Sequence, residues 1–168
     1  MFSRLLHPFA VGVFLVIGAS ACGGSAKPAS TPASSAPADD SPSGRCLAIA
    51  GAKRERRADE PAKITAKHIL VKYAGSKRAP ASVTRTREEA CLRAQEARAK
   101  LEEGTPFGEV VAAYSEEPGA ATREGSLGSI ERTSVVPAFA DAAFELKAGE
   151  VSHVVETDFG FHVIMRTQ

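Results

Sequence analysis

AKHILVKYAGSKRAP, Ala66 to Pro80, decides how the rest of the chain is read. From Ile64 to Tyr73 the composition is that of a strand, and strand side chains alternate between two faces. His68, Leu70 and Lys72 therefore share one face, and Ile69, Val71 and Tyr73 share the other. At about 3.3 Å per residue, His68 and Lys72 stand roughly 13 Å apart, the span of a few extended peptide residues. The strand then empties into a loop carrying Lys77 and Arg78. A face with a histidine at one end and a cation at the other is either the floor of a peptide site or an accident of composition.

Downstream the punctuation is clear. In TREEACLRAQEARAKLEEG, Thr86 can cap a helix, Glu89 can complete a capping box, and Gly104 sits where a helix-ending glycine belongs. Ala90, Ala94, Ala97 and Leu101 form its apolar stripe. TPFGEVVAAYS restarts a helix, with Thr105 as cap, Pro106 at the first helical position, and Phe107, Val111 and Tyr114 facing inward. A short strand is expected over Ser126–Ile130, and a helix over Ala138–Leu146 with Phe139 and Ala143 or Phe144 inside. Strands follow over Val151–Val155 and Phe161–Arg166. The last is apolar on both faces and is placed centrally. The order β-α-α-β-α-β-β predicts a single α+β domain, a small, mainly antiparallel four-stranded sheet covered by about four helices. His162, sharing a face with Ile164, mirrors His68. Either histidine alone reads equally well as a core residue satisfied by a carbonyl or hydroxyl. Together they point to a shared polar network in an apolar cleft.

Upstream, residues 1–22 have the pattern of a signal peptide: an early arginine, an apolar run from Phe9 to Ile17, and small residues before Cys22. GASAC resembles a lipobox with Cys22 as the lipidated residue, although Ala19 stands where leucine is usual; an ordinary secretory signal is the alternative. Residues 23–62 read as a disordered tether, rich in Ala, Ser and Pro and then charged, and residues 63–168 as the folded domain. This predicts an extracytoplasmic protein, lipid-anchored on the periplasmic side of a bacterial membrane or else secreted. A net charge of +1 argues against a nucleic-acid binder. No Cys/His spacing resembles a metal site. Two states are open to Cys91: a bridge to Cys46 or, favoured by its place in a helix, a buried free thiol.

KHILVKY, FGEVVAAYSEEPGAATREGSLG and VPAFADAAFELKAGEVSHVVETDFGFHVIM, taken together and in this order, resemble a parvulin-type peptidyl-prolyl cis/trans isomerase. The resemblance spans Ala66 to Thr167. It implies catalysed rotation of X-Pro bonds in polypeptide substrates, without cofactor or metal. The uncatalysed barrier is about 18–20 kcal/mol and turnover takes tens to hundreds of seconds. It also implies His68, His162, Thr157 and Glu117 around the turning amide, with Leu127, Val135, Phe139 and Phe159 as the proline pocket and substrate-binding surface. Glu117 stands where relatives carry aspartate or cysteine, Val135 where methionine is frequent, and Ser126 departs from the common GDLG. Phe139 and Leu127 also fit a plain core, and Glu117 an exposed turn.

Lys72, Lys77 and Arg78 match the basic cluster of a branch that reads phosphoserine or phosphothreonine before proline, and TRTREEA resembles that branch too. Phe159 replaces its serine, and the loop is shorter. The expectation is an anion-binding end that prefers an acidic residue before proline and tolerates phosphate; a solvated basic loop is the alternative. The competing function is a non-catalytic holdase using the same cleft. The domain is expected to be a monomer.

Overall fold

A strand that is apolar on both faces must lie inside a sheet covered from both sides. β4 (Gly160–Arg166) is such a strand, and with β1 (Lys63–Val71), which is buried on both faces from His68 onward, it forms the centre of this fold. The computed structural model describes residues 39–168; the predicted signal peptide, Cys22 and the tether up to residue 38 lie outside them. β2 (Ser126–Glu131) and β3 (Val155–Thr157) flank the pair in the order β2-β1-β4-β3, every pairing antiparallel. The α+β architecture is the one expected.

Side-chain alternation divides the core in two. Ile69, Val71, Phe161 and Val163 pack under α2 (Arg87–Glu102) and α3 (Phe107–Tyr114), meeting Ala90, Cys91, Ala94, Ala97, Val110 and Val111. Ile64, Ala66 and Ile164 face the other way, toward Phe139, Ala140, Ala143 and Phe144 of α4 (Pro137–Glu145). The capping box of α2 is present: Thr86 Oγ1 accepts from the Glu89 amide at 3.2 Å, and the Glu89 carboxylate accepts from the Thr86 amide at 2.8 Å. The β3–β4 turn needs Gly160, whose φ is +131° and whose Cβ would meet the Val71 carbonyl oxygen at 2.4 Å.

Four expectations are corrected. Pro106 caps α3 from outside instead of opening it, and no side chain caps that end. Val110 and Val111 are its buried residues, while Phe107 and Tyr114 are only partly covered. The strand expected over Val151–Val155 is reduced to one bridge, Val151 to Met165, and to β3. Between them the Ser152 hydroxyl replaces a backbone acceptor and takes the Ile164 amide at 3.0 Å.

The fourth correction is the largest. Part of the predicted tether is helical: α1 (Pro42–Ala50), N-capped by Ser41, packs on α2. Cys91 is no free thiol but is joined to Cys46, with Cα atoms 6.0 Å apart. A helix of nine residues has little stability in isolation, so the cross-link and the burial of Cys46 and Ala50 hold it. After it the chain stays tied down through Arg54 to Glu145 and through Glu60, whose buried carboxylate takes Arg132 at 2.7 Å.

Closing a loop of 45 residues is worth about 4 kcal/mol on the chain-entropy account. Replacing Cys46 and Cys91 together by Ala should lower unfolding stability by about 2–4 kcal/mol while leaving the sheet intact. Urea unfolding followed by circular dichroism reads this as a lower midpoint with a native-like baseline; an unchanged midpoint would contradict it.

Candidate active site

Register places the two histidines. Antiparallel pairing sets His68 opposite Ile164 and Leu70 opposite His162, so the imidazoles are diagonal neighbours on one face. Their Nδ1 atoms lie 3.2 Å apart, with the rings near-parallel at 13°. Phe139, carried over this face by α4, stands edge-on to both, with centroids at 5.6 and 5.3 Å. His68 is 4% exposed and His162 is 5% exposed, so both need partners inside the protein.

Those partners extend the pair into a chain. Thr157 Oγ1 lies 2.8 Å from His162 Nε2 and accepts the Phe159 amide at 3.1 Å. At the other end Glu117 Oε2 lies 2.8 Å from His68 Nε2, and the same oxygen pairs with Arg123. The hydrogen bond from His68 is the main reason the Glu117 carboxyl titrates below its ordinary range; burial opposes it and Arg123 assists. With Glu117 ionised and both imidazoles neutral, one proton assignment gives every acceptor a donor. The Thr157 hydroxyl donates to His162 Nε2, His162 Nδ1–H to His68 Nδ1, and His68 Nε2–H to the carboxylate. Burial is the main cause that pushes the His162 titration well below the usual imidazole value, and a positive charge on Lys72, or on His68 were it protonated, pushes the same way.

Backbone contacts hold Glu117 in place. Loop Ser115–Gly125 is fastened to β1 at both ends: the Glu116 amide donates to the Leu70 carbonyl at 2.7 Å, and the His68 amide donates to the Gly125 carbonyl at 2.9 Å. Gly125 has φ +71°, and a Cβ there would lie 2.4 Å from the His68 carbonyl oxygen. The neighbouring Glu116 points elsewhere. Its carboxylate takes the Lys72 amide at 2.7 Å and Arg85 at 2.7 and 2.8 Å, closing the end of β1.

One cleft of about 690 Å³ brings together His68, His162, Glu117, Leu127, Val135, Phe139, Phe159, Lys72 and Arg78. Thr157 stands behind His162 and does not reach the cleft wall. The three cations do not converge. Lys72 is buried and directs its ammonium at the carbonyl oxygens of Lys77 (3.4 Å) and Arg78 (3.2 Å), so it supports the loop from below. Lys77 and Arg78 both stand over the Phe159 ring, at 5.1 and 5.7 Å from its centroid, and of these two only Arg78 lines the cleft. Sequence reasoning did not anticipate Arg123, the Glu116–Arg85 clamp, or Thr133, Ser134, Val136 and Pro137, which join the expected Val135 in the cleft wall. Arg123 had no sequence signal, because its partner lies across a turn of irregular backbone.

The family description PPIC-type PPIase domain matches residues 51–168. The chain is 37% identical over 122 residues to the putative peptidyl-prolyl cis-trans isomerase dodo of Drosophila melanogaster, covering 70% of this chain and 73% of that protein. It is also 37% identical over 115 residues to the foldase protein PrsA of Geobacillus kaustophilus, covering 68% of this chain but only 40% of the foldase. Among solved structures, the peptidyl-prolyl isomerase ESS1 of Candida albicans superposes with a TM-score of 0.58 at 28% identity, over 68% of this chain and 66% of that one.

A buried neutral imidazole has a stability signature. Below the usual value of 6.5 the unfolded chain binds a proton that His162 in the fold does not. This contribution is complete above pH 6.5 and is lost as the pH falls toward the depressed folded value, by up to about 1.4 kcal/mol per pH unit. Glu117 acts in a lower window, its contribution present above 4.5 and lost beneath it. Urea unfolding at about pH 7.5 and about pH 5.5 should show the first loss, and His162→Gln should shrink it. Equal slopes in the two proteins would contradict the burial argument.

Proposed function

Since the chain belongs to the family of PPIC-type peptidyl-prolyl isomerase domains and is a parvulin-type cis/trans isomerase, we propose that it turns X-Pro bonds in exported polypeptides, preferring an acidic residue before the proline. The observation that carries the reading is the single cleft in which Phe139, Leu127, the two histidines and Glu117 meet.

Rotation about an amide breaks no bond and needs no net proton transfer. The task is to lower a resonance barrier of about 18–20 kcal/mol. Phe139, Leu127 and Val135 hold the proline ring by apolar contact while the preceding carbonyl turns. A planar amide is more dipolar than a twisted one, so transfer into an apolar cleft disfavours the planar ground state more than the transition state. The Glu117 carboxylate adds to this, because it opposes the partial negative charge that resonance puts on the carbonyl oxygen and that twisting removes. In this reading the histidines hold the cleft and the carboxylate in place, and Thr157 fixes the orientation of His162.

At the other end Arg78 and Lys77, stacked on Phe159, present their charge to the residue before proline. Glutamate or aspartate there is the favoured substrate, and phosphothreonine is accepted by the same chemistry. An extracytoplasmic location, with a lipid on Cys22, fits the N-terminal pattern, and the Cys46–Cys91 disulfide supports an oxidising compartment.

Exchange spectroscopy with Ala-Pro, Glu-Pro and phosphothreonine-Pro peptides tests both parts. Acceleration is expected on all three, fastest with the acidic peptides. Phe139→Ala should cost at least about tenfold on every peptide, equivalent to about 1.4 kcal/mol of transition-state binding. Reversing Lys77 and Arg78 to Glu should slow only the acidic peptides, by about tenfold. Uniform slowing would remove the anion-binding role. Binding without acceleration would replace the isomerase reading by that of a holdase.

A further inference from the structure

Glu117 is held from two directions, and only one of them is the histidine. Arg123, six residues further along the same loop, directs Nη2 at Glu117 Oε2, the oxygen that also meets His68 Nε2 at 2.8 Å. Its other terminal nitrogen, Nη1, donates to the Pro118 carbonyl at 3.2 Å. One planar guanidinium thus bridges the side chain and the backbone of the turn that carries Glu117, which the single ammonium of lysine cannot do with the same geometry. Arg123 is not part of the cleft wall, so whatever it does for the reaction passes through Glu117.

The loop is arranged to make this contact. Residues 121–123 form a turn of 3-10 helix that raises Arg123 over Glu117, and Ala120, 2% exposed, anchors the turn beneath. The Ala120 amide donates to the Glu117 carbonyl at 3.0 Å, and the Gly125 amide donates to the Ala120 carbonyl at 2.9 Å. The other carboxylate of this segment, Glu124, is taken by Lys67 at 3.0 Å, which leaves Arg123 to Glu117. Among the described residues, His68 from β1 and Arg123 from the loop are the charged or titratable partners of Glu117.

We propose that Arg123 is a positioning residue for isomerisation, fixing the Glu117 carboxylate against His68 so that a glutamate can stand beside the turning amide. Glutamate has one more rotatable bond than aspartate, and a single hydrogen bond to His68 leaves its carboxylate free to pivot. The contact from Arg123 removes that freedom. The inference rests on the assignment of Glu117 to the reacting amide made above, and it also predicts an effect that does not depend on activity.

The carboxyl carbon of Glu117, followed by NMR through a pH titration of the full chain, gives that independent readout. In Arg123→Ala the Glu117 midpoint should move up. In Arg123→Lys, which keeps the charge but not the fork, it should return only part of the way to the parent value, and Arg123→Gln should lie closer to Arg123→Ala. Exchange kinetics on the same proteins should show kcat for Arg123→Ala down about fivefold to tenfold, KM little changed, and the acid limb of the pH profile displaced upward with the midpoint. Arg123 acts through Glu117, so adding Arg123→Ala to Glu117→Ala should cost nothing further. An unmoved Glu117 midpoint in a folded Arg123→Ala protein would overturn the proposal, as would a second full loss in the Glu117→Ala background. Full activity in Glu117→Ala alone would instead remove the role of Glu117, while the titration would still decide whether Arg123 holds it.

Discussion

The pairing of β1 with β4 is the constraint from which the site follows. Leu70 opposite His162 and His68 opposite Ile164 put two imidazoles side by side on the face that α4 covers. A slip of one residue in either strand would turn its histidine toward the alanine-rich surface of α2, and apolar side chains would fill the cleft. The apolar alternation of the two strands prevents that slip. Ile69, Val71, Phe161 and Val163 are fully buried on one side, and Ala66 and Ile164 on the other, so a slipped register would press a histidine into a close-packed apolar layer that offers it no partner. The hydrophobic core and the polar site are fixed by the same pairing.

Burying a polar chain of this kind is favourable only when every member is satisfied. Here it begins at a threonine hydroxyl fixed by a backbone amide and ends at a carboxylate that keeps its charge through His68 and Arg123. Between them His162, deep in the protein, stays neutral, and neutrality lets its Nδ1–H point one way only. The resulting polarity suits a reaction that moves no protons. In the reading proposed above, the network holds the shape and field of the cleft, and Phe139 and its apolar neighbours take the proline ring.

Much of this was legible in the sequence because the signals were local. Strand alternation around His68 and His162, the Thr86 and Glu89 capping box, and the inner face of the helix carrying Phe139 each depend on residues within a few positions of one another. Glu117 came from the resemblance to the family and from no local signal, and its contact with His68 is what the structure adds. What was not legible depends on distant partners. The α1 segment has the composition of a linker and folds through a disulfide 45 residues away. The strand expected at Val151–Val155 is broken by a serine hydroxyl that competes with the backbone. Lys72 looked like a ligand for an anion, because alternation gives the face on which a side chain leaves the strand but not the carbonyl groups it meets there.

The most direct test of this account is the protonation of the two imidazoles, read by long-range nitrogen–proton correlation NMR at about neutral pH. The account predicts a neutral His162 with its proton on Nδ1 and a bare Nε2 facing Thr157, and a His68 protonated at Nε2 toward Glu117. A cationic His162, or one carrying its proton on Nε2, would reverse the polarity of the chain and contradict the account.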